Sequence, residues 1–140
     1  MRDVLNIYES AQNTAYGHSF SSIMDPVLVS AIKNVQFEKA KETILAHIAP
    51  IYDDKQIIAN RLKDLAAVWS LVSDKFFVRL QEITGKPFPI QQVTGYFTTA
   101  PRLSYNFTEQ WFFVPFRTPI LLVPTKIAHE LLHFHYYAYD

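Results

Sequence analysis

Apolar positions recur every three or four residues along two stretches of the first half of the chain, and after Pro87 that rhythm gives way to alternation. Leu28, Ile32, Val35, Ala40, Ile44 and Ile48 keep helical spacing behind Asp25-Pro26, until Pro50 closes the run. The aspartate can accept from orphan amides, and proline at the first helical position has no amide to lose, so a helix over about 26–48 is expected. His47, near its end, would offset the helix dipole. Asp53 with Gln56 three residues on resembles a capping box and opens the most regular run of all, from Ile58 through Leu65 and Trp69 to Ile83. It predicts one helix over about 53–84, stopped by Gly85 as a left-handed cap and by Pro87. A stripe this regular packs on a sister helix, here 26–48, or on a partner chain. Ahead of both, residues 2–12 read as a short helix with Val4, Leu5, Tyr8 and Ala11 on one side, followed by a polar loop.

Beyond Pro87, Ile90–Thr99 is rich in β-branched and aromatic residues and predicts a strand with Val93, Gly95 and Phe97 on one face. Leu103–Glu109 is a turn region, and Gln110–Phe116 a second strand. Pro115 has no amide to give a ladder, so that strand lies at an edge or ends there. Pro124 would clash with the carbonyl of Ile120 inside a continuous helix, so the last helix starts at Pro124. The resulting class is α+β: an N-terminal helical hairpin, a small β-sheet in the middle and a C-terminal helix. One domain over residues 1–140 is expected, mainly helical in 1–85, with the strands and the final helix in 86–140.

Composition narrows the function. A chain of 140 residues, 49% hydrophobic, can bury one core. Thirteen basic and 13 acidic residues leave no electrostatic case for nucleic acid as a main partner. The lack of cysteine removes disulfides and thiolate chemistry. No apolar run is long enough to span a bilayer or to serve as a secretory leader, so a soluble, cytoplasmic chain is expected.

The candidate chemistry lies in Ile127-Ala128-His129-Glu130-Leu131-Leu132-His133-Phe134. Histidines four apart stand one above the other on a helix, so their ring nitrogens can converge on one ion, and zinc suits two imidazoles. With His129 at 0°, His133 falls at about 40°, Lys126 at about 60°, Tyr137 at about 80°, Glu130 at about 100° and Tyr136 at about 340°. That is one polar face, opposed by Ile127, Leu131, Phe134 and Ala138. Zinc with an open position acidifies bound water and polarises a carbonyl, while Glu130 beside the pair would act as general base. His-Glu-x-x-His therefore points to hydrolysis, most often of a peptide bond in a peptide or protein substrate. Tyr136, Tyr137 and Tyr105 are candidate donors to the transition-state oxyanion. Arg102 and Arg117 are candidates for a substrate carboxylate.

On these residues the last fifty or so positions resemble the zincin superfamily of zinc metallopeptidases. The resemblance implies an edge strand beside the metal that receives an extended substrate, for which Trp111–Phe116 is the candidate. It also implies a third protein ligand. The metzincin pattern would place Gly at 136 and His at 139, where this chain has Tyr136 and Tyr139, so that subclass is excluded. The gluzincin pattern needs a Glu on a later helix, and the sequence reaches only Asp140, about 10 Å along the axis from His133. His135 lies about 200° round the helix from His133. The third ligand is then expected from a missing C-terminal segment, from an upstream residue such as His18, or from a partner chain. The competing class is a non-catalytic interaction or scaffold module in which the motif is incidental.

Overall fold

The computed structural model describes residues 1–12 and 20–140. Among the described residues, six α-helices and a three-stranded sheet give the expected α+β class, with the helix bearing the histidine pair at the end. Helix α1 (Arg2–Gln12) comes first, then a 3-10 turn (Phe20–Ile23), α2 (Pro26–Ile32) and α3 (Phe37–Asp53). Next are α4 (Lys55–Ser70) and α5 (Ser73–Thr84), and the strands β1 (Thr94–Thr98), β2 (Tyr105–Asn106) and β3 (Trp111–Pro115). A second 3-10 turn (Ile120–Leu122) leads into α6 (Val123–Tyr139).

Both long helices of the sequence reading are broken in two. The first breaks after Ile32, where Asn34 takes a left-handed φ of 62°. Side chains from α1 satisfy the freed backbone there. Gln12 donates to Ile32 O at 2.7 Å and accepts from Asn34 N at 2.9 Å, and the Tyr8 hydroxyl donates to Val35 O at 2.7 Å. Asp25 caps α2 as expected, accepting from Val27 N. Pro50 does not stop α3, which runs three residues further to Asp53. A proline in the last turn forfeits one bond without ending the helix. His47 therefore lies inside α3, and its ring faces Asp25 at 3.9 Å.

The second long helix breaks at Leu71 and Val72, where the Ser70 hydroxyl turns back to Ala67 O. Trp69, Phe76 and Phe77 fold together across the bend, with ring centroids 5.2–6.3 Å apart. The cap is Asp54, not Asp53: its carboxylate accepts from Ile57 N at 2.9 Å. Gly85 ends α5 in the left-handed conformation, φ 69°, as its position predicts.

The expected packing of the second stripe against residues 26–48 is replaced by a layered arrangement. α3 and α4 join through Asp54 and then serve different cores. Val4, Ile7, Ala11, Ile32 and Ile44 gather α1, α2 and α3 into one. Leu65, Phe112, Val123, Leu131 and Phe134 gather α4, β3 and α6 into the other, with Phe76 and Phe77 of α5 packed against it. The sheet lies between them. Its order is β1-β3-β2, with β3 parallel to β1 and antiparallel to β2. Thus β3 is the central strand, and the expectation that Trp111–Phe116 forms an edge is overturned. Pro115 is tolerated because it is the last residue of β3.

The N-terminal helix is fastened to the middle of the chain by polar side chains. Asp3, 8% exposed, accepts from Tyr52 OH, Thr98 Oγ1 and both donors of Thr99 at 2.5–3.2 Å. Asn6 donates to Thr98 Oγ1 and Arg102 O. These bonds fix the end of β1 and the bend after it. Burial and the neighbouring carboxylate of Asp3 push the Tyr52 hydroxyl well above the ordinary tyrosine range.

Candidate metal centre

Helix α6 begins at Val123 with Pro124 in its first turn, where the missing amide costs nothing. It buries Val123, Ile127, Leu131 and Phe134, a stripe at i, i+4, i+8 and i+11 that fixes how the helix is rolled on the sheet. With that roll set, His129 is exposed and His133 half-buried on the other side.

The two imidazoles meet. His129 Nε2 and His133 Nε2 lie 3.3 Å apart with ring planes at 88°. Two nitrogens each about 2.05 Å from one tetrahedral zinc are separated by about 3.3 Å, so the pair already has the spacing that the ion demands. The same distance is compatible with a hydrogen bond between one neutral ring and the other. Tyr105 of β2 stacks on His133 at 4.5 Å and 15°, fixing the plane of that ring, and Tyr137 lies 6.4 Å from it on the same helix. Burial, and the charge of His129 when protonated, lower the pKa of His133 and favour the neutral form that ligates a metal.

Glu130 differs from its sequence reading. Helix spacing puts it on the polar face, yet it is 2% exposed. At about 100° from His129 it sits next to the azimuth of Phe134, so when the apolar stripe is pressed home the carboxyl goes in with it. Its Oε1 remains 3.9 Å from His129 Nε2, hence beside the point where the two ring nitrogens converge. Burial raises its pKa to about 7, opposed by the nearby positive charge of Lys126. A carboxyl poised near neutrality can take up and return a proton at physiological pH.

The other candidates separate. Tyr105 and Tyr137 belong to the aromatic group around His133. Tyr136 is more than half exposed and bonds Asp140, which raises its pKa. Arg102 is taken by Glu9 at 2.5 Å, and Arg117 lines a separate cavity of about 500 Å³ with His47 and Asp25. His135 is buried and stacks on Phe88, facing away from the pair as its azimuth requires. His18 lies outside the described residues. Among the described residues, no third His, Cys, Asp or Glu joins His129 and His133 in a group that could hold a metal. The strand beside the pair is the two-residue edge strand β2, not Trp111–Pro115. The sequence offers Tyr105 as an oxyanion donor and does not place it against His133; the antiparallel pairing of β2 with β3 brings it under α6.

No described helix is long and apolar enough to cross a membrane. Against family models, curated proteins and solved structures, the chain gives no match in any of the three comparisons.

Proposed function

We propose that the chain is a zinc-dependent peptidase of the His-Glu-x-x-His type, or the N-terminal portion of one, with His129 and His133 as ligands and Glu130 as the proton-handling group. The observation that carries this reading is the 3.3 Å convergence of the two Nε2 atoms, with a buried carboxyl 3.9 Å from one of them. When bound, zinc supplies a Lewis acid that polarises a carbonyl and acidifies water. Glu130 Oε1 accepts the proton of the attacking water and returns it to the amine that leaves when the peptide bond breaks. Tyr105 holds the His133 ring through stacking, so the ligand need not be ordered on binding. The remaining protein ligand comes from outside the described residues or from a partner chain.

A second reading is a non-catalytic interaction module with an incidental motif, favoured by the lack of a third ligand among the described residues. Zinc content after purification without chelator, followed by peptide hydrolysis, decides between them. The peptidase reading expects one zinc per chain, lost in His129→Ala and in His133→Ala, and hydrolysis abolished by Glu130→Gln with zinc retained. Zinc-free protein in zinc-supplemented buffer, or hydrolysis unchanged in Glu130→Gln, refutes it.

A further inference from the structure

The free edge of β1 has the geometry of an acceptor strand. In a parallel pair, a residue that turns its amide and carbonyl to the neighbouring strand alternates with one that turns them away. Thr94 N donates to Gln110 O at 2.9 Å, and Thr98 O accepts from Phe116 N at 2.7 Å, so Thr94, Tyr96 and Thr98 face β3. Gly95 and Phe97 therefore turn both backbone groups outward, at the open end of the order β1-β3-β2. No described residue hydrogen-bonds to those four groups. Gly95 is exposed and presents no side chain to hinder another backbone.

Apolar grooves run along both faces of that edge. On one side Leu62 and Trp69 of α4 and Leu131 of α6 wall a space of about 330 Å³ beside Gly95 and Phe97. On the other, Leu45 and Tyr52 of α3 wall one of about 850 Å³ beside Tyr96. Leu62, Leu45, Tyr52 and Tyr96 are all large apolar or aromatic residues left exposed. The first groove has no charged side chain in its lining. In the second, Arg2 is held by Glu109 and lies over Tyr96, and Asp3 is saturated by Tyr52, Thr98 and Thr99. An occupant charged in the segment that enters the first groove would find no counter-ion there.

We propose that β1 receives an extended, uncharged, apolar segment of another polypeptide as a fourth strand, its successive side chains dropping alternately into the two grooves. Only another extended backbone complements the outward groups of Gly95 and Phe97, and only a two-residue period serves grooves on opposite faces. A second copy of this chain, the other possible occupant, would have to bring the helices that flank its own β1 against the same walls. The site is independent of the histidine pair, which adjoins β2 at the far edge of the sheet.

The test uses the full chain and a capped octapeptide of alternating Val and Leu between terminal lysines, with the same peptide N-methylated at every apolar residue as control. Exchange of individual backbone amides is followed by NMR. The proposal expects the first peptide to slow exchange at Gly95 and Phe97 by about tenfold or more, to leave Tyr96 unchanged, and the methylated peptide to do neither. Failure to bind up to about 1 mM overturns it, as does equal binding by the methylated peptide or unchanged exchange at Gly95 and Phe97 on binding. Protection of those two amides in the free protein, together with a dimer on sedimentation, assigns the edge to a second copy and also overturns it.

Discussion

Replacing Glu130 by glutamine in the metal-free protein should stabilise it at neutral and alkaline pH and do little in acid. The carboxyl is 2% exposed, and its pKa is raised from 4.5 to about 7 by burial. Because the folded value lies above the unfolded one, this group's contribution to stability is fully present below about pH 4.5 and is lost as pH rises through about 7. The difference, about 7 minus 4.5, is about 2.5 units, and at 1.36 kcal/mol per unit it corresponds to about 3 kcal/mol. Glutamine keeps the shape and does not ionise. Urea unfolding of both proteins with chelator present, at intervals from pH 4.5 to 8.5, should therefore show the variant gaining on the native chain up to a plateau of about 3 kcal/mol. The other titrating groups are common to both and cancel in the difference. A difference that stays flat with pH, or a variant less stable than the native chain at pH 8, would show that the carboxylate has a stabilising partner and would refute the account of its burial.

Three further outcomes concern the stacking at the site, the break between α2 and α3, and the core under the motif. Tyr105→Leu removes the ring stacked on His133 and should weaken zinc binding about tenfold, read by competition with a chromogenic chelator, while the far-ultraviolet circular dichroism is unchanged. Gln12→Ala leaves Ile32 O and Asn34 N without their side-chain partner and should cost about 1–3 kcal/mol in urea unfolding, although residue 12 is remote from the metal pair. Phe134→Ala empties a fully buried position under the motif and should cost about 3–5 kcal/mol in the same assay.

What the sequence made legible was local. Asp25-Pro26, Gly85 and Pro124 punctuate helices by their own covalent geometry, and the structure places a boundary at each. The i, i+4 spacing of His129 and His133 likewise needs nothing but the helix to bring the rings together. The breaks at Asn34 and Leu71 were hidden because what stabilises them is distant or aromatic. Gln12 and Tyr8 reach across more than 19 residues to the first, and Trp69, Phe76 and Phe77 close around the second. Sheet order was hidden for a similar reason. Nothing local distinguishes a parallel β1–β3 pair with β2 outside it from a simple hairpin. Glu130 lies at the margin of two faces, where a rotation of a few tens of degrees decides between solvent and core, and that rotation is set by Val123, Ile127 and Phe134 against the sheet.

The ties between Asp3, Asn6 and the end of β1 bear on the order in which the protein can assemble during synthesis. Those two side chains are made well before their donors and acceptors at Thr98, Thr99 and Arg102, which appear some 95 residues later. Until then a carboxylate and an amide destined for the interior stay wet, and the opening helix cannot take its final seat. Closure of α1 onto the sheet thus waits for β1, and the strand that opens the sheet in chain order is also the one that lets this helix settle.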